Sequence, residues 1–218
     1  MSDTPENYEC SPLVLSARYV DSGWLTVYRV RRYAHRGRGL MDACLARHGS
    51  LNLIYYLFTT SISYPNSVHS ILMAIFLTGG TGNTANHITH LLQDANIPFL
   101  LGSRRGEAAA PAGMVAAKFD WLDPSTFSNP FQYNFPGGQR ISAIYLVVAG
   151  IIDPGPTNSF IDYAFKTHHV KRFVLLAGSS VQLGGPAYGQ IWQHLLDLGV
   201  EYCVLRPTWF MGTYHLTY

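Results

Sequence analysis

The segment AIFLTGGTGNTANHITHLL, beginning at Ala74, limits what this chain can fold into more than any other. A short apolar run enters three glycines and leaves as a helix-forming stretch. In the helical stretch, apolar residues recur at Ala85, Ile88, Leu91, Leu92 and Ala95, the spacing of one helical face. Gly80-x-Gly82-x-x-Ala85 fits the pattern G-x-G-x-x-G/A of a dinucleotide-binding turn, with Gly79 in addition. Each small residue has a physical task there. One permits a turn too tight for a Cβ, one lets the backbone approach a pyrophosphate, and Ala85 lets the helix lie close to the strand. The helix start at Asn83 and Thr84 would then offer unpaired N–H groups to the phosphates. No G-K-[ST] comes after the turn, which argues against a nucleotide-cleaving P-loop.

The residues after this turn keep alternating between strand-like and helix-like segments. IPFLLGS and MVAAKFD read as a second and third strand, and ISAIYLVVAG as a fourth, apolar on both faces as central parallel strands are. SFIDYAFKTHH is helical, with Phe160, Ile161, Ala164 and Phe165 on one stripe and His168 and His169 at its end. VKRFVLLAGSS is a fifth strand and EYCVLRP a sixth. The helix PAYGQIWQHLLDLG between them starts at Pro186, with Tyr188, Ile191, Trp192, Leu195 and Leu196 facing the core. Such alternation predicts an α/β fold, a Rossmann-type doubly wound parallel sheet with helices on both faces. Charged residues make up only 13% of the chain against a usual share of about a quarter, which suits a sheet buried on both sides.

The end of the second strand bears on which dinucleotide would fit. A site for NAD places a carboxylate there, roughly 20 residues after the glycines, to bind the ribose 2′-hydroxyl. Here the strand ends in Ser103, Arg104 and Arg105. A guanidinium pairs with a 2′-phosphate that a carboxylate would repel, so NADP(H) is the expected cofactor. Asp120 and Trp121, after the third strand, are placed to border the adenine. Asp123 with Pro124 reads as the start of a helical turn.

Several classes are disfavoured. The three cysteines, Cys10, Cys44 and Cys203, are scattered and frame neither a metal site nor a disulfide scaffold, and no metal is expected. His87 and His90 share a helix face, but with no third ligand nearby they are expected to face solvent. The net charge of +2 gives no reason to expect a nucleic-acid or membrane partner. LNLIYYLF is too short to span a bilayer, and the acidic N-terminus lacks the basic start of a signal peptide, so a cytoplasmic location is the default expectation.

Residues 1–72 differ in kind from the rest of the chain. They hold seven arginines, no lysine and five acids, without sustained periodicity. The arginine- and tyrosine-bearing stretch Val27–Gly39 could touch phosphates, but an extension without a role is the expected reading. Two domains result: residues 1–72, an extension of unknown or no function, and residues 73–218, the dinucleotide-binding domain.

FLTGGTGNTA, NIPFLLGSRR, KFDWLDPSTFSNPF, VKRFVLLAGSS, GGPAYGQ and VLRPTWFM resemble, in that order, the NmrA-like branch of atypical short-chain dehydrogenases. Within that branch they are similar to the ergot-alkaloid festuclavine and agroclavine dehydrogenases. The resemblance runs from about Met73 to Met211. It implies an NADP-dependent reductase that passes hydride to an iminium formed from chanoclavine-I aldehyde. It further implies that the family begins at the first strand, making residues 1–72 an upstream extension, and that the substrate-binding part is cut short at the C-terminus.

Carbonyl-reducing members of the wider superfamily use a serine and a Tyr-x-x-x-Lys pair as the proton relay. Here the fifth strand ends in Ser179 and Ser180, Tyr188 comes next, and Trp192 stands where the lysine would be. Ser179 and Tyr188 are therefore weak catalytic candidates, and packing is the expected role of Tyr188. An iminium needs no such relay, because its nitrogen already carries the positive charge that a protonated carbonyl would have to acquire. Alternative readings are a non-catalytic NADP-sensing regulator of the NmrA type and an inactive fragment of the reductase.

Overall fold

The computed structural model describes residues 73–148, 150 and 152–206, together with the backbone of 13–15 and 28–32. Cys10, Cys44, most of Val27–Gly39 and the end of the chain after Arg206 lie outside the described residues.

Eight strands form one sheet: β1 (Leu13–Leu15), β2 (Tyr28–Arg32), β3 (Met73–Leu77), β4 (Phe99–Ser103), β5 (Ala116–Lys118), β6 (Arg140–Val147), β7 (Arg172–Leu176) and β8 (Glu201–Leu205). Their order is β1-β2-β8-β7-β6-β3-β4-β5. From β8 to β5 every pairing is parallel. These six strands are those expected from the sequence. Numbered among themselves they run 3-2-1-4-5-6 from the β5 edge, the doubly wound order of dinucleotide-binding folds. The order reverses between β3 and β6, which opens a crevice at their carboxyl ends.

Among the described residues the α-helices are α1 (Asn83–Asp94), α2 (Asn129–Gln132), α3 (Gly155–His168) and α4 (Tyr188–Asp197). Ile88 and Leu92 of α1 pack on one face of the sheet with Ile75, Leu77 and Leu101. Phe160, Ile161 and Ala164 of α3 and Ile191, Trp192 and Leu195 of α4 pack on the other with Phe76, Leu100 and Ile144. The alternation of strand side chains between faces thus produces two cores. An aromatic group fills the second, with Phe119 edge-on to Phe76, Trp121 and Phe160 at 4.7–5.3 Å between ring centroids. Burying side chains of this size contributes about 1.5–3 kcal/mol each, which makes this cluster the chief adhesive of that face.

Element boundaries differ from the sequence reading where turn geometry intervenes. The α1 face buries Thr89 along with Ala85, Ile88 and Leu92, while Ala95 is exposed just past the helix end. α3 begins at Gly155, four residues earlier than expected, because Pro156 suits the first turn of a helix. It ends as expected at the histidines: His169 adopts a left-handed conformation (φ 58°), and the N–H of Val170 reaches back to the Ala164 carbonyl at 3.0 Å. α4 starts at Tyr188 and not at Pro186, since Ala187 sits at φ 49°, ψ −106° and breaks the helical run before it. Asp123 caps a single 3-10 turn, its carboxylate accepting from the Ser125 N–H.

The stretch 1–72 supplies β1 and β2, which extend the sheet: β2 pairs antiparallel with β8, with Val30 opposite Leu205, and β1 pairs antiparallel with β2. The sequence shows no sustained periodicity there. An edge strand exposes a row of unpaired N–H and C=O groups, and β2 pairs with those of β8. That demand comes from the sheet and leaves no signature in the local sequence.

Candidate functional site

The glycine turn lies where β3 hands over to α1, at the crevice. Gly79 takes φ +64°, and a Cβ there would lie 3.2 Å from the Cβ of Val147 on β6. A Cβ on Gly80 would stand 2.6 Å from the Leu101 Cβ, with Leu101 backbone at 3.1 Å. Gly80 is therefore held glycine by the approach of β4. Gly82 is exposed and caps α1 with ordinary extended dihedrals, and a Cβ there would lie 3.1 Å from the Gly79 carbonyl oxygen. No side chain caps α1 and no acid occupies its first turn, where Asn83 is exposed and Thr84 half-buried. The uncapped N–H groups and the positive end of the helix dipole thus remain available to an anion.

At the end of β4, Ser103 is buried and its hydroxyl accepts from the Arg105 N–H at 3.3 Å, shaping the turn that carries both arginines outward. Arg104 and Arg105 are exposed. Arg105 lines an open groove of about 530 Å³ along the edge strand β5, with Lys118, Gln132 and Tyr133. No residue of the glycine turn lines that groove, and neither does Arg104.

Asp120 and Trp121 diverge in environment. The Asp120 carboxylate accepts from the Leu122 N–H at 3.0 Å and shapes its own loop. Trp121 is buried edge-on against Phe119 and Phe160, and its indole N–H donates to the Val147 carbonyl at 3.2 Å. Its ring is a core group more than the open adenine border expected from the sequence.

The weak catalytic candidates are also accounted for. Tyr188 donates its hydroxyl proton to the Val148 carbonyl, and burial pushes the phenol above its ordinary range, so it stays protonated. The Ser179 side chain is exposed, while its carbonyl accepts from the Arg206 guanidinium. Arg206 also reaches the Gly178 carbonyl at 3.5 Å and lies 5.9 Å from the centre of the Trp192 ring. It braces the loop after β7. Trp192, in the lysine position of the superfamily relay, is buried. No amine is thus delivered to Tyr188 from that helix turn.

Sequence reasoning missed Thr78, which is fully buried at the end of β3. Its hydroxyl donates to the Tyr145 carbonyl at 2.9 Å and accepts from the Val147 N–H at 2.8 Å. A threonine before the glycines was the available hint, but its partners are set by the register of β6. His87 and His90 are exposed on α1 as expected. Cys203 is a buried core residue of β8. Among the described residues no three metal-ligating side chains converge, and no helix is long and apolar enough to cross a membrane.

No family model matches the chain. Agroclavine dehydrogenase of Claviceps fusiformis is 46% identical over 145 residues, 65% of this chain and 48% of that protein. Festuclavine synthase II of Penicillium roqueforti is 42% identical over 142 residues (64% and 48%), and festuclavine dehydrogenase of Aspergillus fumigatus 41% over 144 (64% and 48%). Among solved structures, a Staphylococcus aureus nucleoside-diphosphate-sugar epimerase aligns at TM-score 0.47 and 22% identity, covering 60% of this chain and 48% of its own. Yeast methylglyoxal/isovaleraldehyde reductase Gre2, complexed with NADPH, aligns at 0.46 and 16%, covering 60% and 52%. The chain spans about half the length of the curated relatives it matches, 48% in each case. Over about two thirds of its length the chain is similar in sequence to agroclavine dehydrogenases and festuclavine-forming enzymes.

Proposed function

We propose that the chain carries the cofactor-binding part of an NADP(H)-dependent oxidoreductase that reduces an iminium of the ergot-alkaloid type. The similarity to agroclavine dehydrogenase, 46% over 145 residues, carries the reading. The uncapped glycine turn and the arginines after β4 fit the cofactor on independent physical grounds. Gly82 lacks a Cβ where the pyrophosphate would approach, the α1 start offers unpaired N–H groups, and Arg104 supplies a fork for the 2′-phosphate. NADPH, when bound, supplies a hydride.

The chain's own residues would do three things: hold the dinucleotide, present its reactive end over β6, and keep water away. Binding and orientation suffice for this substrate class. As hydride reaches the iminium carbon, the C=N π pair returns to nitrogen and a neutral amine results, so no protein acid is needed. The commitment of Tyr188 to a main-chain carbonyl agrees with that chemistry. It agrees equally with an NADP-sensing regulator that binds without turnover, and residues 1–72 are read as an extension outside either role.

Titration with NADPH and NADH, followed by imine-dependent loss of NADPH absorbance, tests the proposal. NADPH-selective binding with turnover is expected. Selective binding without turnover on any cyclic imine would favour the regulator, and no binding would leave a fragment.

A further inference from the structure

The last residues of β6 are held by side chains from three separate elements. Thr78, after β3, accepts from the Val147 N–H and donates to the Tyr145 carbonyl. Trp121, after β5, donates to the Val147 carbonyl, and Tyr188, opening α4, donates to the Val148 carbonyl. Carbonyls at the end of a parallel strand commonly turn to water or to a ligand. Here those of residues 145, 147 and 148 each accept from a protein side chain, and Gly79 lies near enough to Val147 that an added Cβ would come within 3.2 Å of the Val147 Cβ. Tyr188 is aimed by a backbone in a rarely populated conformation, Ala187 at φ 49°.

Resting on the proposed function, we propose that Thr78, Trp121 and Tyr188 form a three-point clamp that fixes the end of β6 as a preset floor for the nicotinamide half of the cofactor, with Tyr188 a positioning residue and not a proton donor. A dinucleotide laid across the switch point puts one half over β4 and β5, where the arginines stand, and the other over β6. The clamp therefore acts on one half of the ligand. Because the donors are supplied by the protein, the floor exists before the ligand arrives and its ordering cost is already met. Burial keeps the Tyr188 phenol protonated across the physiological range, so the contact persists.

The test separates the two halves. NADPH and adenosine 2′,5′-bisphosphate, which lacks the nicotinamide, are titrated by calorimetry into the full chain, Tyr188→Phe and Trp121→Phe. Tyr188→Phe keeps the packed ring and deletes only the donor. NADPH affinity is expected to fall about fivefold, the scale of one hydrogen bond, while bisphosphate affinity stays within about twofold. Trp121→Phe should show the same split. Equal losses for both ligands would mean general damage and overturn the clamp, as would unchanged NADPH binding in both variants. If the unsubstituted chain binds neither ligand, the functional reading fails and the clamp with it. If it binds both and the variants show no split, only the clamp fails.

Discussion

Thr78 and Val147, 69 positions apart, are joined by a hydrogen bond of 2.8 Å from the Val147 N–H to the threonine hydroxyl, across the point where the strand order reverses. The same hydroxyl donates to Tyr145, so one buried side chain couples β3 to β6 at the mouth of the crevice. Replacing it with the near-isosteric valine keeps the volume and removes both bonds. Thr78→Val is expected to cost about 1–3 kcal/mol, the penalty for stranding buried polar groups. Thr78→Ser should cost less. Urea unfolding of the three proteins checks the order.

The glycines should separate stability from binding. Gly80→Ala drives a methyl group into Leu101 and should destabilise by about 1–3 kcal/mol, as overpacked cores do. Gly82→Ala brings a methyl group within 3.1 Å of the Gly79 carbonyl at the N-cap, without entering the core, and should lower the melting temperature less than Gly80→Ala. It should still weaken NADPH, because its methyl group would stand where a pyrophosphate approaches the helix. Thermal melts and NADPH titrations of both variants decide the matter.

Arg104 is exposed, so removing it should not affect folding. Arg104→Ala is expected to weaken NADPH by about 10- to 100-fold, the range of a hydrogen bond to a charged group, and to leave NADH binding unchanged. The ratio of the two dissociation constants is the quantity to measure. A ratio unaffected by the substitution would show that another residue selects the 2′-phosphate.

Stability should fall as the solution is acidified through the histidine range. The His168 ring stacks on Phe131 at 3.9 Å with its Nε2 buried and unpartnered. Burial, then the charge of neighbouring His169, lowers its pKa from the ordinary 6.5. The unfolded chain therefore takes up a proton first. The stabilisation is complete above about 6.5 and is lost as pH falls toward the lower folded value. His168→Phe keeps the stack and removes the titrating group, so its stability between about pH 7 and 5 should be flatter.

A carboxylate adds to the acid sensitivity at lower pH. Burial would raise the Asp162 pKa, but hydrogen bonds from Lys166 and His194 outweigh it and hold the group below its ordinary 3.8. Its stabilisation is present above that value and disappears as pH falls through the depressed one. Asp162→Asn should reduce the loss of stability below about pH 4, read by denaturant midpoints. The pairs are part-exposed, so the effect should be small.

Periodicity made the parallel core legible without coordinates. A strand buried on both faces and an amphipathic helix each repeat within a short stretch of chain, so the six strands, the helices on them and the glycine turn could be read from local order. Arg104, Arg105 and the missing lysine at Trp192 were legible for the same reason, because their meaning depends on distance along the chain from a recognisable element. Trp121, Tyr188 and Arg206 were visible as residues but not as contacts. Trp121 and Tyr188 reach the end of β6 across 26 and 40 positions, and Arg206 returns to the loop after β7 across 27 or 28.

By itself the sequence determined the α/β alternation, the glycine turn and the cationic end of β4, since each depends on residues close together in the chain. Tertiary structure alone decided that Thr78, Trp121 and Tyr188 converge on the end of β6 and that β2 pairs with β8. Such contacts arise from strand order and register, which bring distant segments together and leave no periodic mark in any one of them.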